Sequence, residues 1–167
     1  MIETYRLRIQ PLSYDQLLKY IQNDQSLERE LQLNDSTRNI SPELKEALEQ
    51  TILPNVARSG HNYLYSTLWT IIDLAKNQMV ADLCFVGEPD QNGQIEIGFG
   101  TYEQHQGHGY MTEAVGGMVK WAQTQPEVKC IYAETAEDNF ASMSVLQKNG
   151  FVQLSKVDGM CSWRLEW

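Results

Sequence analysis

Apolar and polar positions alternate at period two in some stretches of this chain and recur at helical spacing in others, and the two patterns take turns along its length. Residues 3–11 read as an opening strand. Tyr14, Leu17, Leu18 and Ile21 fall on one face of a helix, and Leu44, Ala47, Leu48 and Ile52 on one face of another. Ser41-Pro42 starts that second helix, with Pro42 in its first turn, and Pro54 is expected to stop it. Residues 63–75 and 78–86 are rich in β-branched, aromatic and aliphatic side chains and predict two strands joined near Lys76-Asn77. A turn at Glu88-Pro89-Asp90-Gln91-Asn92-Gly93 leads into a strand at 94–101, where Ile95, Ile97 and Phe99 alternate with Glu96, Gly98 and Gly100. Met111, Ala114, Val115, Met118, Val119 and Ala122 form the apolar stripe of a further helix. Val128 to Ala133 suits a buried strand, after which Asp138 or Asn139 caps a helix carrying Val145 and Leu146, ended by Asn149-Gly150. The tail, 151–166, predicts a hairpin around Asp158-Gly159. No linker, repeat or low-complexity tract interrupts this order, so 1–167 is expected to be a single αβ domain.

The junction between the strand at 94–101 and the helix after it carries the chemistry. It reads Gln104-His105-Gln106-Gly107-His108-Gly109-Tyr110-Met111-Thr112. Two glycines one residue apart allow a tight turn that exposes backbone N–H groups, and the helix adds the unpaired donors of its first turn and the positive end of its dipole. Such a junction can seat a phosphate or pyrophosphate, or it can be a plain strand–turn–helix connection. A dinucleotide fingerprint is excluded because the third glycine position is Thr112, and a P-loop because no Gly-Lys-Ser/Thr follows.

Together with the second segment, this junction resembles a known family. Gln104-x-x-Gly107-x-Gly109-Tyr110-Met111-Thr112-Glu113-Ala114, followed by Asn139-x-x-Ser142-x-x-Val145-Leu146-x-Lys148-x-Gly150-Phe151, is similar to the GNAT superfamily of N-acetyltransferases, in its RimJ/RimL-like branch, which includes ribosomal-protein N-terminal acetyltransferases. The opening Thr4-x-Arg6-Leu7-x-Ile9-x-Pro11-Leu12 resembles that branch's first strand. The resemblance implies a mixed α/β fold: a twisted sheet of about seven strands with helices on both faces, and a V-shaped splay between two central parallel strands, here 94–101 and 128–134. It implies acetyl-CoA as co-substrate and direct transfer of the acetyl group to a primary amine, either a protein N-terminus or a small molecule. Its pantetheine arm would lie in the V against the backbone of Phe99, Gly100 and Thr101. The pyrophosphate would take N–H groups from His105, Gln106, Gly107, His108, Gly109 and Tyr110, beside Gln104, and Asn139 and Ser142 would approach the pantetheine or the thiol.

The family often places a base carboxylate on the central strand, which here is Glu96; it reads equally as general base or as a solvated strand glutamate. Asp82, Tyr132 and Glu134 are weaker candidates on adjacent strands. Ser142 reads equally as a donor to the thiolate or as a helix N-terminal packing residue. Many relatives place a tyrosine general acid where this chain has Leu146, and Lys or Arg where it has His108, so the proton donor is left open and one phosphate contact is weaker. A non-catalytic acyl-CoA-binding or sensing domain is the alternative function, and a nucleotide-binding regulatory domain a third.

Composition narrows the partners. The net charge is −9, which disfavours nucleic acid and is compatible both with a cationic acceptor and with ordinary solubility. Cys84, Cys130 and Cys161 are an odd number at no metal-ligand spacing, and His61, His105 and His108 form no ligand pattern with them, so no metal is expected. No secretory leader or membrane-length apolar run is legible, and a cytoplasmic monomer or homodimer without membrane contact is expected. The acceptor would be met by residues 24–60, where Glu28, Glu30, Asp35, Glu43, Glu46 and Glu49 either bind a cationic acceptor or form solvated helix faces.

Overall fold

The computed structural model describes residues 1–58 and 60–167. Among these residues eight strands form one sheet in the order β1-β2-β3-β4-β5-β6-β8-β7. They are β1 (Ile2–Glu3), β2 (Leu7–Pro11), β3 (Leu68–Asp73), β4 (Gln78–Phe85), β5 (Gln94–Thr101), β6 (Cys130–Ala136), β7 (Val152–Val157) and β8 (Met160–Glu166). The count exceeds the expected seven because residues 3–11 are not one strand. Thr4-Tyr5-Arg6 turns the chain, Thr4 N–H bonds the Leu7 carbonyl at 2.9 Å, and β1 folds back antiparallel on β2.

Alternation along the strands sorts the core onto two faces. On one face, Leu7, Ile9, Trp69, Ile71, Leu83, Phe85, Ile95 and Ile97 pack against α5 (Tyr110–Gln123) and Leu146 of α6 (Phe140–Lys148). On the other, Leu68, Ile72 and Met79 pack against α1 (Tyr14–Gln22), α2 (Ser26–Glu30) and the helical stretch that contains Leu48 and Ile52. Neighbours Ile71 and Ile72 therefore bury into opposite cores, as a two-residue period requires. At Gly117 an added Cβ would sit 2.9 Å from Thr4 Cγ2 and 3.1 Å from Ile9 Cδ1, so glycine sets how closely α5 lies on the first hairpin.

Local signals hold where their partners are local. Ser13 and Gln16 form a reciprocal capping box on α1, and Ser41 caps α3 (Pro42–Ala47). Pro54 does not stop the second helix. The chain passes through a π-helical turn (Leu48–Ile52), with Leu53 N–H bonded back to the Leu48 carbonyl, and Pro54 then sits in the first turn of α4 (Leu53–Ala57). Residues 63–75 divide as well: Tyr63–Tyr65 is a 3₁₀ turn, and the strand begins at Leu68.

A buried polar knot ties the α1–α2 side to the sheet. Arg38 and Glu28 form an ion pair with both side chains fully buried. Ser36 Oγ donates to Glu28, Arg38 Nη2 reaches the Tyr20 carbonyl at 3.3 Å, and Tyr20 Oη donates to Asp82 Oδ2 on β4 at 2.6 Å. Burial pushes the Asp82 carboxyl up to about 6.

Candidate active site

β5 and β6 are the parallel pair, and they stay together for only three residues. Gln94, Ile95 and Glu96 pair with Cys130, Ile131 and Tyr132; beyond them β5 remains bonded to β4 and β6 to β8. Among the described residues, the edge of β5 from Ile97 to Thr101 that faces β6 thus has no strand partner, and the sheet opens into a V. A groove of about 580 Å³ begins there. Phe99, Gly100 and Thr101 line it from β5, Gly107, Gly109 and Tyr110 from the loop and helix start, and Ser142, Val145 and Lys148 from α6.

The loop supplies a run of free donors. Gly107 and Gly109 take φ of +78° and +76°, a left-handed backbone that glycine adopts without a Cβ penalty. The N–H groups of Gly107, His108, Gly109, Tyr110, Met111 and Thr112 meet no acceptor among the described residues, and the first helical bond of α5 is from Glu113 to Gly109. His105 does not contribute a free donor, contrary to expectation. Its N–H closes a 3₁₀ turn on the Tyr102 carbonyl at 2.8 Å, and that of Gln106 lies 3.4 Å from the Glu103 carbonyl. Six consecutive donors stand at the positive end of a 14-residue helix, the chemistry that can receive an anion.

Most of the residues named from sequence line this groove: Phe99, Gly100, Thr101, His105, Gln106, Gly107, Gly109, Tyr110, Asn139 and Ser142. Gln104 and His108 do not. The Gln104 amide donates to the Thr37 carbonyl, and the His108 ring stacks on Tyr110 while its Nδ1 sits 2.9 Å from the Gln106 carbonyl. Asn139 uses its Oδ1 to cap α6, accepting from Ser142 N–H at 3.1 Å, whereas the half-buried Ser142 hydroxyl makes no hydrogen bond among the described residues. Sequence reasoning missed Met111, Thr112, Ala141, Ser144, Val145 and Lys148 as lining residues. Ala141, Ser144, Val145 and Lys148 share one face of α6 at helical spacing, a signal that was available, but only the tertiary fold shows which face meets the groove. Leu146 is fully buried in the core.

Glu96 belongs to the other face of the sheet. It sits at the last paired position of the V, and its neighbours Ile95 and Ile97 are buried on the α5 side, so its half-buried carboxylate points to the α1–α2 side. It has no hydrogen-bond partner among the described residues, and burial, followed by the negative charge of Glu134, raises its affinity for a proton. Tyr132 Oη donates to Glu134 Oε1 at 2.7 Å. Asp82 is committed to the buried knot with Tyr20. The groove and this carboxylate thus approach the same opening from opposite faces. Among the described residues, no group of three or more His, Cys, Asp or Glu is placed to hold a metal, and no helix is long and apolar enough to cross a membrane.

A parallel pair that splays after three residues is the arrangement that the sequence resemblance implied. The family model for the acetyltransferase (GNAT) domain matches residues 6–152. The chain belongs to the GNAT acetyltransferase family. It is 30% identical over 155 residues to the uncharacterized N-acetyltransferase YjdG of Bacillus subtilis strain 168, covering 91% of this chain and 89% of that protein. The same fold occurs in a Salmonella typhimurium acetyl transferase that modifies the N-terminal serine of a 50S ribosomal subunit protein (TM-score 0.65, 17% identity, 98% of this chain and 96% of that one). It occurs also in a Vibrio cholerae spermidine N-acetyltransferase solved with CoA and spermine (TM-score 0.66, 12% identity, 98% and 96% coverage). As a GNAT member, the chain is an acyl-CoA-dependent N-acetyltransferase.

Proposed function

We propose that this GNAT protein works as a single cytoplasmic domain that transfers the acetyl group of acetyl-CoA directly to a primary amine. The observation that carries the reading is the run of six free N–H groups, Gly107 to Thr112, five of them on residues that line a groove continuous with the unpaired edge of β5. These groups fit CoA: a diphosphate satisfies donors that otherwise lack acceptors, and the open β5 edge offers peptide groups to the two amides of pantetheine. Lys148, the one Lys or Arg among the lining residues, adds positive charge where His108 turns away.

The chain's own residues then have a limited task. A primary amine is mostly protonated near neutral pH and attacks the thioester carbonyl only when neutral. Glu96, held above the ordinary carboxylate range and without a partner, removes that proton directly or through water. As the carbon–sulfur bond breaks, the free Ser142 hydroxyl at the groove wall is proposed to donate a hydrogen bond to the leaving thiolate, which takes up the proton that the attacking nitrogen releases; Leu146 can donate neither. The acceptor enters on the α1–α2 face, where Glu96 and Glu134 favour a cationic amine. Relatives of this fold act on a protein N-terminus and on spermidine, so both classes belong in the acceptor panel.

The test is calorimetric titration with acetyl-CoA, then thiol release with a panel of N-terminal peptides, polyamines, aminoglycosides and amino acids. Saturable binding with amine-dependent thiol release supports the proposal. Tight binding with no release above background for any amine supports a sensing role instead, and preference for ATP or NAD over CoA refutes the cofactor reading.

A further inference from the structure

We propose that Arg6, at the turn of the first hairpin, is a positioning residue that fixes the phosphate-binding loop from behind. The inference rests on the CoA reading above.

The hairpin turn is bolted to α5 through Glu113. Thr4 Oγ1 donates to Glu113 Oε1 at 2.6 Å, the Arg6 N–H to the same oxygen at 2.7 Å, and Arg6 Nε to Oε2 at 2.7 Å. These bonds hold the Glu113 carboxyl below its usual range despite partial burial. Glu113 thereby aims the rest of the guanidinium. Arg6 Nη1 donates to the His108 carbonyl at 3.0 Å, and the guanidinium carbon lies 5.2 Å from the centre of the Tyr110 ring. Tyr110 is itself anchored through its hydroxyl to Asp73.

Peptide geometry turns this contact into a statement about the groove. In a trans peptide the carbonyl and the following N–H point in opposite directions. With the His108 carbonyl held by Arg6 on the outer side, the Gly109 N–H is directed away from Arg6, toward the groove that Gly109 lines. The guanidinium lies beside this residue: a Cβ at Gly109 would be in ordinary contact with Arg6 Nη2, at 3.5 Å. Without Arg6 the 108–109 peptide can rotate, because glycine on its far side accepts many conformations, and the donor is no longer preset. A carboxylate near a phosphate seat would otherwise repel the ligand; here Arg6 neutralises Glu113 at the first turn.

Arg6→Gln, Arg6→Lys and the wild type are titrated with CoA and with pantetheine, the phosphate-free arm of CoA. Losing one preset donor to a charged group weakens CoA binding about tenfold. Arg6→Lys retains the charge and the pair with Glu113 but lacks the planar fork that, with Nε on Glu113, aims Nη1 at the His108 carbonyl; it is expected to fold normally and show the same loss. Pantetheine binding stays within about twofold for both variants. The proposal is overturned if Arg6→Lys binds CoA within about twofold of wild type, or if pantetheine weakens as much as CoA, which marks general destabilisation. A wild type that binds no CoA refutes the cofactor reading rather than the clamp.

Discussion

Gly107 and Gly159 make a matched pair that separates backbone strain from ligand binding. Both hold φ of +78°, and in both an added Cβ meets nothing within 4 Å. Alanine in the left-handed region costs about 1–2 kcal/mol. For a chain of this size that corresponds to a Tm lower by roughly 2–8 °C. Since neither site has a steric neighbour, Gly107→Ala and Gly159→Ala should lower Tm by similar amounts. Only Gly107 is in the groove. There a loop that relaxes to relieve φ withdraws one or more of the six N–H groups from the diphosphate. The loss of one such bond, about 1.5–3 kcal/mol, raises the Kd for CoA by roughly tenfold or more. Gly159, in the β7–β8 turn, should leave that Kd unchanged. Differential scanning fluorimetry and calorimetry on the two variants read both quantities. Equal Tm losses with equal CoA affinity would refute the assignment of the loop as the diphosphate seat.

Two further results follow from the electrostatics. A base must be deprotonated to act, so the acidic limb of kcat/KM rises with pH through the raised value of Glu96. Glu134→Gln removes a like charge, lowers the Glu96 value and moves that limb to lower pH, whereas Glu96→Gln abolishes the limb and most of the turnover while CoA still binds. Arg38→Met strands Glu28 as an unpaired buried carboxylate and should cost about 3–5 kcal/mol in urea unfolding. Replacing the pair together, as Glu28→Leu with Arg38→Met, should recover much of that loss, and a double variant as unstable as the single one would contradict the argument.

Legibility in the sequence followed the distance to each residue's partner. β5 was read with its final boundaries because alternation and the flanking Gly93 and Tyr102 are local. The Asp158-Gly159 hairpin was equally plain, and both residues adopt positive φ. The split of 3–11 was not visible, because the turn at Thr4-Tyr5-Arg6 is held by Glu113, more than a hundred positions away. The 3₁₀ turn at Tyr63–Tyr65 hid in a stretch rich in aromatic, aliphatic and β-branched residues, and its anchor is the Trp69 indole N–H on the Leu64 carbonyl. Within the site, the glycines announced the loop, while the engagement of His105, the outward turn of Gln104 and His108, and the approach of Lys148 depend on contacts made only in the fold. Glu113, read as part of a motif, serves the scaffold rather than the groove.

The most direct test of the central claim is a crystal structure of the protein with CoA. The diphosphate should lie within about 3 Å of several N–H groups between Gly107 and Thr112, with pantetheine along the open edge of β5 and the sulfur between Ser142 and Glu96. CoA bound elsewhere, or a diphosphate that leaves those N–H groups without an acceptor, would contradict the account.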